Sequence, residues 1–413
     1  MTDGRIQGSF SGRRFAVLLH VQIKNDSPIR CADSGQRGIR PSEAGDSIGK
    51  SDAPVSQERE GHAASESARN RRAGASLAVA VLVLCCVLWG WSFPTMQYAS
   101  RAFDAHIVGH GDPSTLQSLE SRALLNGLRF LVAGLLYALL TVTSQRKFHR
   151  SETVGGLVVG VLFGAGMLLQ VLGLAWARPS VSGFLTSMAV VFAPLAQALI
   201  LRRPVGGAVW AAVGLALAGV TLLAWPNPGA EQGSLTAHPP LPLLGETLTV
   251  LAAVVFTAQI LAVDHYGQTA DPRRLTSVML LTCAVMSLAV AVCLSGGRVL
   301  APGLLTALAT DRVVWWSLGS LILFSSLLAI PLMNAYQPRV SPATASVVYC
   351  SEPLFALLFS VLLGTEQLTV LTLAGGAAVV AAVLVVAARS RRSVSAEEVT
   401  KRASDSRSNP QRP

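Results

Sequence analysis

Charge is what this sequence has least of. Only 14% of its 413 residues are Asp, Glu, Lys or Arg, where a soluble domain carries about 25%. The shortage is local. Residues 1–75 hold 12 of the 33 basic side chains and residues 389–413 hold 7, so residues 76–388 keep 14; the 23 acids divide as 9, 3 and 11. A water-soluble core of that length needs a charged outer face, and so few charges cannot supply one. Lipid must surround residues 76–388, in keeping with a hydrophobic fraction of 51% and a mean hydropathy of +0.49.

Other absences narrow the chemistry. Cys31, Cys85, Cys86, Cys283, Cys293 and Cys350 show no Cys-x-x-Cys spacing, and five of the six lie in apolar runs, where a thiol acts as a small hydrophobe. No metal site and no cofactor is expected. No G-x-x-x-x-G-K-[ST] phosphate loop occurs, and no histidine falls inside an apolar run. A membrane-embedded enzyme would need a convergent acid, base, nucleophile or metal ligand set, so an enzyme is not expected. The net charge of +10 does not point to nucleic acid, because the basic residues stand at the ends of apolar runs instead of gathering on one face among aromatics.

What the sequence does have is a series of apolar runs, each near the ~20 residues that cross ~30 Å of hydrocarbon. They cover 76–98, 123–143, 153–176, 181–201, 206–225, 243–263, 275–295, 312–333, 342–363 and 368–388. The connections are short except for 99–122, 226–242 and 296–311. Residues 1–75, rich in Ser, Gly and charge, are expected to be a disordered cytoplasmic tail, and residues 389–413 a disordered basic one. Arg13-Arg14 ahead of Phe15–Leu19 lacks the apolar length and cleavage site of a secretion signal. The fold needs nothing before Ser76, so a natural start further along is expected to be compatible with it; N-terminal sequencing of the natural protein tests this.

Basic residues orient the spans. With ten spans both ends share a side, which receives Arg69, Arg71, Arg72, Arg146, Lys147, Arg150, Arg202, Arg203, Arg273, Arg274, Arg339, Arg389, Arg391 and Arg392. The other side receives only Arg101, Arg122, Arg178, Arg298 and Arg312. Both termini are therefore expected in the cytoplasm.

The chain also repeats itself. Arg178-Pro179-Ser180-Val181-Ser182-Gly183 precedes the fourth span, and Ser341-Pro342-Ala343-Thr344-Ala345-Ser346 precedes the ninth, 163 residues later. The same offset carries Val205 at the start of the fifth span onto Leu368 at the start of the tenth. Five spans per half invert the second half relative to the first. The fold class read from this pattern is all-α: a polytopic membrane protein of ten transmembrane helices in two inverted five-helix repeats, 76–225 and 243–388. Secondary transporters are built this way, with the substrate held near the midplane where the halves meet.

Several motifs carry a resemblance. Trp89-Gly90-Trp91-Ser92-Phe93 resembles a W-G-x-x-F, Arg129-Phe130 an R-F, and Phe184-Leu185-Thr186-Ser187-Met188 with Val190-Val191-Phe192-Ala193-Pro194 an F-L-T-S-L-x-V-V-F-x-P. Val340-Ser341-Pro342 with Ser351-Glu352-Pro353 resembles V-S-P then L-E-P, and Glu366-Gln367-Leu368-Thr369 a G-E-R-L-T. Together and in this order they resemble EamA-type members of the drug/metabolite transporter superfamily. The resemblance implies secondary export or exchange of metabolites such as amino acids, without ATP. It also places the first, third and ninth helices around a central cavity. Where the family commonly shows R-E-R after the fourth helix, this chain has Arg202-Arg203-Pro204, with no adjacent acid.

An ionisable group inside a span costs ~2.5–3.5 kcal/mol at the helix centre on insertion scales, so it should face inward and have a purpose. Arg129 lies about six residues into the second expected span, near enough to its end to snorkel, and is read as a gating or structural residue. Glu246, three residues into the sixth, is interfacial. Glu352 is the deepest acid, and Pro353 behind it removes a backbone donor and frees the carbonyl of Tyr349. Such a carboxyl either couples protons to substrate or stabilises the kink. Among uncharged groups, Trp89, Gln170 and Tyr349 are the cavity candidates the resemblance favours, with Glu352. Gly156, Gly160 and Gly164, every fourth residue, are read as a surface for another backbone. The expected partners are a small-molecule substrate and membrane lipid, with no nucleic acid. The reading is a secondary exporter of the bacterial inner membrane, driven by protons or exchange; the alternatives are a non-transporting sensor or assembly subunit and a lipid-carrier flippase.

Overall fold

The computed structural model describes residues 53–109, 111, 113–142, 149–173, 185–225, 242–364 and 368–408. Cys31, Arg146, Lys147, Arg178, Phe184, Glu366 and Gln367 lie outside the described residues, as do 1–52 and 409–413. The chain divides into residues 1–57 and residues 58–413, and every apolar span belongs to the second unit.

Regular structure among the described residues is helical throughout. In chain order come α1 (Ala53–Val108), α2 (Thr115–Val142), α3 (Arg150–Gly173), α4 (Ala189–Leu199), α5 (Gly207–Leu223), α6 (Pro242–Tyr266) and α7 (Pro272–Ser295). The eighth span is composite: α9 (Arg312–Ser320), a π-helical stretch (Leu321–Leu328) and α10 (Ala329–Tyr336), preceded by a short helix α8 (Pro302–Thr310). The ninth is also divided, into α11 (Pro342–Tyr349) and α12 (Glu352–Leu362); α13 (Val370–Ser408) is last.

Eight helices among the described residues are long and apolar enough to cross a bilayer. The fourth and fifth expected spans hold two shorter ones, α4 with 11 residues and α5 with 17. α4 is short because a turn at Ser187–Met188 interrupts the helix that contains Leu185 and Thr186.

Three boundaries differ from those expected. The connection 99–122 is largely helical: α1 runs on to Val108, and α2 starts at Thr115. The cause of the second is local, since the Ser114 N–H donates to Gln117 Oε1 (2.9 Å) while the Gln117 N–H donates to Ser114 Oγ (3.3 Å), a reciprocal cap. The stretch 296–311 contains α8. The tails expected to lack structure are helical in part, from Ala53 and as far as Ser408, because extending a formed helix adds one hydrogen bond per residue without a new nucleus.

Large apolar side chains face outward, among them Leu139, Leu199, Val285, Leu362 and Val370. In water such a surface would aggregate; against lipid it is the matching solvent. Inside, α2 packs on α7, α3 on α6 and α7, α4 on α11, and α5 on α13. The glycine stripe of α3 makes its contact possible. A Cβ on Gly156 would stand 2.9 Å from the Leu275 carbonyl oxygen, and one on Gly160 would stand 2.9 Å from that of Met279. Gly219 and Gly375 face each other in the same way, each lying under the other's carbonyl. Gly160→Ala is expected to destabilise the protein by about 1–3 kcal/mol, because the methyl meets backbone that cannot move aside. Thermal unfolding in detergent measures it, and an unchanged midpoint would contradict the contact.

Candidate functional site

Two broken helices meet inside the bundle. The turn at Ser187–Met188 and the turn at Cys350–Ser351 are 163 residues apart, and Cys350 Sγ lies 3.9 Å from the Ser187 carbonyl oxygen. The second break has a visible cause. Pro353 has no N–H to offer the Tyr349 carbonyl, the Cys350 N–H turns to Ser346 and the Ser351 N–H to Val348, and α12 restarts with Glu352 in its first turn. The Glu352 carboxyl is half-buried there and forms no hydrogen bond or ion pair among the described residues.

Arg129 does not snorkel. With α2 beginning at Thr115, it sits midway along the helix's 28 residues and is 2% exposed. Its Nε donates to Ser326 Oγ (2.8 Å) and its terminal nitrogen to Ser325 Oγ (2.7 Å). Both hydroxyls belong to the π-helical stretch, whose cause is Pro331: it cannot bond to the carbonyl four residues back, and the Ala329 N–H reaches Phe324, five residues back. Trp89 Nε1 donates to the Ser325 carbonyl (3.2 Å), and Trp91 Nε1 donates to Ser320 Oγ (2.8 Å). The first span is thus tied to the eighth at the same place.

Trp89 and Tyr349 stand together, ring centroids 5.8 Å apart and tilted by 56°. The Tyr349 hydroxyl donates to Gln337 Oε1 (2.8 Å), and Gln337 in turn donates to the Ile260 carbonyl (2.9 Å). Gln170 is elsewhere. Its amide donates to Thr186 Oγ1 (3.2 Å), beside the first helix break, instead of joining the tryptophan and tyrosine. Glu246 is exposed.

Several functional groups have no signal in a window of sequence. Glu152 and Arg274 are both buried and pair at 3.4 Å, and Glu152 also accepts the His149 N–H (2.8 Å) at the start of α3. The acid missing beside Arg203 comes from α6: Asp264, buried, bonds to it at 2.8 Å. These two pairs lie where α6 turns into α7. At the opposite end Glu120 pairs with Arg298 (3.2 Å), Ser121 donates to Asp104, and His106 Nε2 lies 2.8 Å from Asp311 Oδ2. That hydrogen bond holds the Asp311 carboxyl below its usual range. Asn126, on α2, is 1% exposed, and among the described residues neither its oxygen nor its nitrogen has a partner. Its spacing from Arg129 could have flagged it, since residues three apart share a helix face.

The EamA-like transporter family profile matches residues 114–225 and again residues 243–388, more than half of the chain. The chain belongs to the EamA-like transporter family. It is a multi-pass membrane transporter. A protein of Archaeoglobus fulgidus described as an uncharacterized transporter is 25% identical over 294 residues, covering 70% of this chain and 78% of its own. One crystal structure superposes with a TM-score of 0.57 at 18% identity, over 77% of this chain and 98% of the other, which is a likeness of fold alone. The two matched segments of this EamA-like chain each contain one of the broken helices.

Proposed function

We propose that this EamA-like protein is a secondary transporter that exports a small metabolite across the bacterial inner membrane. It is built as two inverted five-helix halves with both termini in the cytoplasm and is driven by protons or by exchange. The observation that carries the reading is the meeting of the two helix breaks, at an offset equal to that of the sequence repeat, beside Glu352. Broken helices at a repeat interface present free backbone groups and side chains to a solute at mid-membrane depth. The packing supports the inverted halves. Exchanging each span for its counterpart five places on preserves the pairings: second with seventh, fourth with ninth and fifth with tenth each map onto themselves. The pairing of third with sixth maps onto that of eighth with first, seen in the Trp89 and Trp91 bonds. Two similar halves of opposite orientation give inward- and outward-open states of similar energy, which alternating access requires.

The test is flux. Purified protein in proteoliposomes, given a pooled metabolite library, is expected to move at least one solute above empty liposomes. Folded protein that moves none would favour a sensor or assembly subunit. Reporter fusions to the two ends of the chain should both report the cytoplasm; opposite faces would overturn the even span count.

A further inference from the structure

We infer that Arg129 and Asn126 form an anion site, and that the transported solute carries a single carboxylate on an apolar body. The inference deepens the transport reading and rests on it for the word transported, but not for the binding. Arg129 is a buried guanidinium whose hydrogen-bond partners are two neutral hydroxyls; among the described residues no carboxylate pairs with it. An isolated charge in a low-dielectric interior is tolerated when a counter-charge is bound. One turn away, on the same face of α2, the Asn126 amide is enclosed, and among the described residues neither its donor nor its acceptor has a partner. Buried polar groups of this kind have partners, and where the protein supplies none, a solute or water does. The serines take Nε and one terminal nitrogen, so the other terminal nitrogen of Arg129 and the Asn126 amide donor are the groups that suit a carboxylate's oxygens.

Three further observations bear on the solute. First, the charge: one uncompensated cation balances one negative charge, and a phosphate dianion would leave an excess in the same dry space. Second, the body: the Phe130 ring lies 4.8 Å from the guanidinium carbon, and Trp89, packed on Tyr349, bonds to the same Ser325 that the arginine does, so the surroundings of the charge are aromatic. Third, depth: Asn126 and Arg129 lie on one face of α2 near its middle, against the π-helical stretch that carries Ser325 and Ser326. Such a stretch is also a common mark of a functional site.

The full chain in lipid nanodiscs, titrated calorimetrically with 3-phenylpropionate and with its uncharged amide, 3-phenylpropanamide, tests the site. The acid is expected to bind at least about tenfold more tightly than the amide, the size of one hydrogen-bonded charge contact. Arg129→Gln should abolish that preference. Arg129→Lys, which keeps the charge and loses the fork, should weaken acid binding yet retain the preference, and it carries the test if the glutamine variant does not fold. Asn126→Leu should weaken acid binding with little effect on the amide. Equal binding of acid and amide, binding of neither, or a preference that survives in Arg129→Gln would each overturn the anion site. Flux separates the two readings: transport of neutral solutes alone by a protein that ignores the acid removes the anion site and keeps the transporter. Selective acid binding without flux of any solute keeps the site and removes the transport.

Discussion

Replacing Glu352 by glutamine is expected to leave the protein folded and inserted while flux stops responding to an imposed proton gradient. The carboxyl stands in the first turn of α12, directly after the break at Cys350–Ser351, with no hydrogen bond or ion pair among the described residues. It is therefore not a structural tie, and its removal should cost little stability. A carboxyl at such a place can change its charge as the two broken helices rearrange, and so bind a proton on one side and release it on the other. Glutamine has nearly the same shape and cannot. The measurement is solute flux in proteoliposomes with and without a pH step, where the variant should fall to the level of empty liposomes in the gradient-driven component. Exchange of solute against solute should persist, because it needs no proton. A gradient response equal to that of the unaltered protein would mean that Glu352 merely stabilises the kink.

The largest loss of stability is expected from Glu152→Gln. Glu152 is buried against Arg274 at 3.4 Å and accepts the His149 N–H at the start of α3. Glutamine can still accept that N–H, but it removes the carboxylate charge that faces the Arg274 guanidinium. Breaking a buried pair from one side costs about 3–5 kcal/mol, a large share of what a membrane protein has to lose. The double variant Glu152→Gln with Arg274→Met should recover much of the loss, since two well-packed neutral side chains are often as stable as the pair they replace. Unfolding midpoints in detergent give both values. A single variant as stable as the double one would show that the pair contributes little.

Much of this architecture was legible before any coordinates. The apolar runs, the glycine stripe of α3 and the 163-residue offset are written in periodicity and composition, and the helices, the close packing and the two helix breaks follow them. Pro353 announced its break in the same way, because a missing N–H acts on the turn just before it. What a window of sequence does not hold is what a neighbour decides. The apolar run alone puts Arg129 near a helix end, whereas the cap at Ser114 and Gln117 adds eight residues of helix ahead of that run and puts it midway. Arg203 has no acid beside it in the sequence, and Asp264 supplies one from 61 residues away.

By itself, then, the sequence determined that the chain is a membrane protein, which stretches are apolar enough to cross, that a motif pattern recurs 163 residues on, and that Arg129 and Glu352 are the charges to explain. Each of these is a property of a short window, set by hydrophobicity and by the covalent chemistry of proline and glycine. Only the tertiary structure decided what those charges meet. Ser325 and Ser326 reach Arg129 from almost two hundred residues away because Pro331 winds the eighth span into a wider helix, and Asn126 has no partner among the described residues because of what packs around it. Partnerships of that kind depend on how helices cross in three dimensions, which no local pattern encodes.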